Sequence, residues 1–193
     1  MSEDKKSGGS RERLILAGIR LINRRGFGEF SLRAVAADCG LSCAAPYRHF
    51  KNKNDLVLAI LSYINDAWHR VQSVIIESEE ELRRCLIRIS VAYIRFLVEN
   101  PSFRAIILSA ADTAGFTPEQ QRVIGKLSER TSLLIRTYVC ESGLSEEAAF
   151  RKTSAIRALI YGYTLMFVNH ELAVSDENYR MIETVVSREF DLS

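Results

Sequence analysis

The sequence predicts an all-α protein of about nine helices, on three observations. Long stretches of its 193 residues repeat their apolar groups at spacings of three and four, the period of a helix that buries one stripe. No alternation of Val, Ile and Thr is sustained anywhere, so no strand is called. Only 3 prolines and 10 glycines interrupt the chain. Apolar residues make up 47% of it, enough to build a core and too many for a disordered chain. The length suits one domain, or a small domain joined to a medium one.

The first ten residues, MSEDKKSGGS, are polar and expected to be a disordered tail over 1–9, with no secretory signal. The first helix is expected over about 10–25. Leu14, Ile15, Gly18, Leu21 and Ile22 form its stripe, and Arg24 and Arg25 suit the negative end of its dipole. Gly26 then closes it in the left-handed conformation, with Phe27 folding back. Ser31 is the N-cap of a short second helix carrying Leu32, Val35, Ala36 and Cys39. Gly40 ends that helix, Leu41 plugs the core, and Ser42 caps a third. Two short helices joined by a glycine-containing turn are a helix-turn-helix, so residues 10–56 are read as a three-helix domain of that kind.

The third helix has an unusual composition. Pro46 sits in its first turn, where a missing N–H forfeits little and a fixed φ stiffens the start. Cys43, Ala44 and Ala45 leave its tip slim enough to enter the DNA major groove. Tyr47, His49 and Lys53 are donors placed where phosphates would lie, and Phe50 and Leu56 return the chain to the core. Charge agrees with this reading. Residues 1–60 hold 11 Lys/Arg against 6 Asp/Glu, whereas residues 61–193 hold 15 against 18. A basic N-terminal module and a mildly acidic remainder point to a polyanionic partner.

The remaining 57–193 read as a second, helical domain. A long fourth helix starts at Asn54. Ser78 with Glu81 makes a capping box for a helix over about 79–99, stopped by Pro101. A short helix over 102–111 and a loop over 112–118 follow. Thr117 caps and Pro118 opens the next, which ends near Gly143. Ser145 starts another that runs to about 171, and Asp176 caps the last, with Tyr179, Ile182, Val185, Val186 and Phe190 on its stripe. Between 155 and 168 only Arg157 and Thr164 are clearly polar, so that helix must be covered on all sides. The run is too short to span a bilayer, and no membrane partner is expected. Cys39, Cys43, Cys85 and Cys140 form no C-x-x-C pair and no metal framework; a cytoplasmic protein with reduced thiols is expected.

The segment SLRAVAADCGLSCAAPYRHFKNKNDLVLAIL, residues 31–61, with the RRGF ending of the first helix, closely resembles the DNA-binding domain of the tetracycline-repressor (TetR) family of bacterial regulators. Ser31, Ala36, Gly40, Leu41, Ser42, Tyr47, His49, Phe50, Lys53 and Leu56 stand at the family's spacing. The resemblance implies backbone-phosphate contacts at Ser31, Ser42, Tyr47, His49 and Lys53. It implies base-facing positions at Cys43, Ala44 and Ala45 and a base contact from Arg33. None of the three tip residues can make a bidentate base contact, so specificity would rest on thymine methyls, with Arg33 and Arg48 reading guanine. Ser31 and Ser42 would serve as caps with or without DNA.

The same resemblance implies that the C-terminal helices form a ligand-binding and dimerisation domain. The last two helices would supply a four-helix bundle between two protomers, through Ile156, Leu159, Ile160, Tyr163, Phe167, Ile182 and Val186. A cavity for an unknown small-molecule effector would draw on Tyr93, Phe96, Leu97, Phe103, Ile107, Phe116, Leu134 and Tyr138. The expected protein is a homodimeric repressor of a palindromic operator in double-stranded DNA, released by a small molecule. No cofactor or metal and no enzymatic activity is expected, since no P-loop, dinucleotide glycine pattern, nucleophile elbow or His-Glu-x-x-His spacing occurs. A DNA-bound protein that recruits a protein partner without a small ligand is the alternative; a filled core would favour it. Cys43, at the expected N-terminus of the third helix, would be a candidate oxidant sensor through a lowered thiol pKa, against the plainer role of a small residue.

Overall fold

The computed structural model describes residues 4–26, 28–109 and 117–191; the expected packing of Phe27 and most of the 112–118 loop lie outside them. Among the described residues there are eight α-helices and one 3-10 helix, and no strand: α1 (Asp4–Arg25), α2 (Leu32–Asp38), the 3-10 helix (Pro46–Arg48), α3 (Lys53–Ser78), α4 (Leu82–Glu99), α5 (Pro101–Ser109), α6 (Pro118–Glu141), α7 (Glu146–Val168) and α8 (Asp176–Glu189). The helix expected from residue 10 begins at Asp4. It therefore runs through the segment expected to be a disordered tail, and through Gly9, where propensity alone disfavours a helix by about 1 kcal/mol.

Two compact units emerge, and they do not follow a single cut in the chain. One comprises residues 1–66 and 101–125, the other residues 67–100 and 126–193. The first unit draws on residues 101–125 because α5, far along the chain, packs on α1. Sequence periodicity shows that a helix has an apolar face, not which distant helix returns to cover it.

In the first unit α1 packs against α2 and α5. Leu14, Leu21 and Ile22 meet a core containing Phe30, Val35, Phe50, Leu56 and Ile60, all buried. Gly18 permits the closest approach. A Cβ there would lie 2.8 Å from Ile60 Cδ1 and 3.3 Å from Phe30 Cε2. Ser31 caps α2 as expected, its hydroxyl accepting the Ala34 N–H at 3.2 Å. The far end closes with Gly40 at φ +66, the Leu41 N–H reaching the Ala36 carbonyl at 2.9 Å. That pairing satisfies carbonyls that the helix end would otherwise leave open. Arg24 and Arg20 of α1 both pair with Asp38 at the end of α2. α6 opens with a capping box: Gln120 N–H donates to the Thr117 hydroxyl, and Thr117 N–H donates to the Gln120 side-chain oxygen at 2.9 Å.

In the second unit α4 packs against α7 and α8, which also pack on each other. Trp68 is buried with its ring centroid 4.5 Å from that of Tyr93 and 5.3 Å from that of Phe96. Its indole N–H donates to the Leu127 carbonyl at 3.1 Å. Arg83 donates to the Ser187 and Phe190 carbonyls and pairs with Asp191, a cation set on the negative end of α8.

Two expected caps move. Ser78 is the last residue of α3, where its hydroxyl donates back to the Ile75 carbonyl, so the box with Glu81 does not form. An N-cap needs an extended backbone, and the apolar stripe of α3 keeps Ser78 helical. Ser175 rather than Asp176 caps α8: its backbone is extended and its hydroxyl accepts the Asn178 N–H at 3.2 Å. Ser145 caps α7 in the same way.

Candidate nucleic-acid interface

The expected third helix is not an α-helix. Residues 42–45 form a turn and only Pro46–Arg48 are helical, in the tighter 3-10 form. The cause is Pro46. In an α-helix its N–H would reach the Ser42 carbonyl; proline has none, and the Ala45 N–H takes that carbonyl instead at 2.9 Å. The Tyr47 and Arg48 N–H groups continue the three-residue pattern onto Ala44 and Ala45. With no helix opening at Cys43, the dipole argument for an activated thiol there loses its basis, although the residue is exposed.

The segment presents a thin tip on a fixed base. Ser42, Cys43 and Ala44 are exposed and Ala45 is half-buried. Behind them Pro46 is buried and Phe50 is 2% exposed. Tyr47 stands out at 54% exposure, beside exposed Arg48. A single exposed ring is ordinary on a protein surface, but here ring, hydroxyl and cation are accessible side by side at the tip. The donors around the tip are differently engaged. Ser31 and Arg33 are exposed at the start of α2. Lys53, at the start of α3, holds its ammonium 5.6 Å from the centre of the Phe30 ring. That contact keeps the stem against the core while the residue stays exposed. His49 is half-buried, its Nε2 3.3 Å from the Ser10 hydroxyl of α1. Asn52 caps α3 by accepting the Asp55 N–H at 3.0 Å. Cys39 is half-buried with its thiol on the Arg13 carbonyl, and burial raises its pKa.

The C-terminal candidates separate into two groups. Of those expected to bind an effector, Tyr93 lines a slot enclosed by α3, α4, α6 and α7, together with Trp68, Ile135, Ile156, Ile160 and Arg157. Burial, reinforced by nearby Tyr161 and opposed by Arg157, drives the Tyr93 phenol above the usual tyrosine range. Phe96 and Leu97 are buried packing residues near the slot, not part of its wall. Phe103 lies in the first unit, edge-on to Tyr63. Leu134 is half-buried on α6. Tyr138 donates its hydroxyl to the Phe190 carbonyl at 2.8 Å and so ties α6 to the end of α8. The side chain of Ile107, and Phe116 as a whole, lie outside the described residues.

Of the residues expected at a dimer interface, Ile156, Ile160, Phe167, Ile182 and Val186 are buried by the protomer's own helices. Leu159 and Tyr163 point elsewhere, into an open apolar groove with Ala155, Ala158, Gly162 and Met166 of α7 and Met181 of α8. An all-apolar helix hides which face looks inward, which is why sequence alone mixed the two. Arg157 was legible as the lone cation in that run, though its place on the slot was not.

Residues 14–60 match the model of "Bacterial regulatory proteins, tetR family". An uncharacterized HTH-type transcriptional regulator, YerO of Bacillus subtilis, is 27% identical over 180 residues, covering 86% of this chain and 59% of that protein. The nucleoid occlusion factor SlmA of Sodalis glossinidius is 28% identical over 127 residues, covering 64% of this chain and 62% of that protein. The chain thus spans about three fifths of these relatives. Among solved structures, a TetR family transcription regulator from Marinobacter aquaeolei superposes with a TM-score of 0.80 at 21% identity, over 96% of this chain and 97% of that one.

Proposed function

We propose, from the match of residues 14–60 to the bacterial tetR regulatory family, that this chain is a DNA-binding transcriptional regulator, a homodimeric repressor that reads a palindromic operator and lets go when a small molecule enters its C-terminal helices. The observation that carries the reading is the thin Ser42–Ala44 tip, exposed on a buried Pro46 and Phe50 base and flanked by Tyr47, Arg48 and Lys53. A tip that slim can approach base edges while its neighbours hold phosphates. Residues 10–56 form the DNA-binding part and 57–193 the ligand and dimer part.

Two-fold symmetry follows from the target. One such tip reads half of an inverted repeat, so a second copy must be held about one DNA turn away. The open α7–α8 groove around Ala158, Leu159 and Tyr163 is the surface for that copy. A cytoplasmic site of action belongs to the same reading, since the operator would be met there; among the described residues no helix is long and apolar enough to cross a membrane. Selecting duplexes from a random library and weighing the complexes tests the reading: inverted repeats should be enriched and carry at least two chains per duplex.

One observation favours a second reading, a DNA-bound factor that recruits a protein and takes no ligand. The slot between α3, α4, α6 and α7 is only about 30 Å³, room for roughly one or two waters rather than the hundreds of cubic ångströms of ordinary ligand pockets.

A further inference from the structure

We infer that the slot takes a small organic carboxylate, an apolar body bearing one negative charge, and that Arg157 is the residue that reads the charge. The inference rests on the ligand-responsive reading above and names the class of ligand.

The walls argue for the apolar body. Trp68, Tyr93, Ile135, Ile156 and Ile160 contribute aromatic and branched aliphatic surface from four helices. Arg157 argues for the charge. Among the described residues it is the one charged side chain on the slot, which no Asp or Glu lines. Among the described residues it makes no ion pair; its guanidinium donates to the Ser128 hydroxyl at 2.8 Å. A guanidinium offers five donors in a planar fork; Arg157 is exposed at the mouth of the slot, so the donors not given to Ser128 face water and are open to an entering anion. A carboxylate in place of Ser128 would gain two charge-assisted bonds at once. Tyr93, kept protonated by burial and within electrostatic reach of Arg157, adds a phenol donor. A cationic ligand would meet repulsion there, and a neutral one would gain no ion pair.

The narrowness of the slot is part of the same geometry. Ser128 lies on α6 and Arg157 on α7, so their hydrogen bond ties the two helices across the slot. A carboxylate that draws Arg157 away from Ser128 removes that tie, and the slot widens as the ligand enters. Binding and opening are then one event, as a population shift requires of a ligand that prefers the open form.

Trp68 is the chain's one tryptophan and lines the slot, so its emission reports occupancy without a label. The full chain would be titrated with octanoate and benzoate, with octanol and benzyl alcohol, and with octylamine and benzylamine, following Trp68 emission and retention on a selected duplex. The two carboxylates are expected to shift the emission saturably and to release DNA. Arg157→Gln should raise their apparent Kd about tenfold and leave the alcohols within twofold, with Arg157→Lys between. Alcohols or amines that act as well as the carboxylates, or an Arg157→Gln chain that binds carboxylates normally, would overturn the anion assignment and leave ligand response standing. No shift and no release with any of the six, from a chain that still binds its duplex, would overturn both and leave the partner-recruiting reading.

Discussion

Pro46 removes the one N–H that an α-helix would send to the Ser42 carbonyl, and the Ala45 N–H occupies that carbonyl at 2.9 Å. The segment proposed to face DNA is consequently a turn followed by a short 3-10 helix. Proline fixes φ at 46 and so lowers the entropy of the unfolded chain as well as shaping the folded one. Pro46→Ala should therefore cost about 1 kcal/mol, from unfolded-state entropy and a small cavity at a buried position. Chemical denaturation reads the loss, and DNA affinity should fall with it. A variant as stable as the parent would mean that the turn holds its shape without the ring.

Ser31 has an observed role as a cap and a proposed one on DNA. Its hydroxyl accepts the Ala34 N–H, and the residue is exposed on the expected phosphate side. Ser31→Ala should cost about 1 kcal/mol of stability through the lost cap. Ser31→Asp keeps a good cap and sets a negative charge toward phosphate. Its melting temperature should stay close to the parent's while DNA binding collapses. Intact binding by the Asp variant would place Ser31 outside the interface.

Helix α7 presents opposite faces two residues apart. Ile156 is buried in its own protomer, and Ala158 is exposed on the open groove. Ile156→Ala should destabilise the fold by about 2–5 kcal/mol. Ala158→Arg, well tolerated by helical propensity, should leave the circular dichroism melt nearly unchanged and convert the dimer to a monomer in light scattering. A dimer that survives Ala158→Arg would move the interface away from this groove.

The features legible in the sequence are those decided within a turn or two of chain. Ser31, Gly40, Ser145 and the Thr117–Pro118 start each follow from one residue type at one conformation, and each stands where local chemistry puts it. Ser78 was misread because an equally local rule, the continuing stripe of α3, outweighed its capping preference. The shape of the 42–48 segment was partly legible. Proline was recognised as stiffening, but the shift to 3-10 geometry depends on which donor claims the Ser42 carbonyl. Illegible were the long-range partners: α5 on α1, the slot assembled from four helices, and the inward face of α7. Ile156 and Ile160, expected at a dimer interface, are buried within the protomer, and an apolar run carries no mark of the side that a neighbour will cover.

The most direct test is the salt dependence of binding to a selected inverted-repeat duplex. Each phosphate contact contributes about −0.9 to the slope of log K against log salt. Lys53→Ala should weaken binding to every sequence alike and lessen the slope by about one per protomer, while Tyr47→Ala lowers affinity with a smaller change in slope. Affinity and slope unchanged in both variants would contradict the placement of this tip and its flanking donors on DNA.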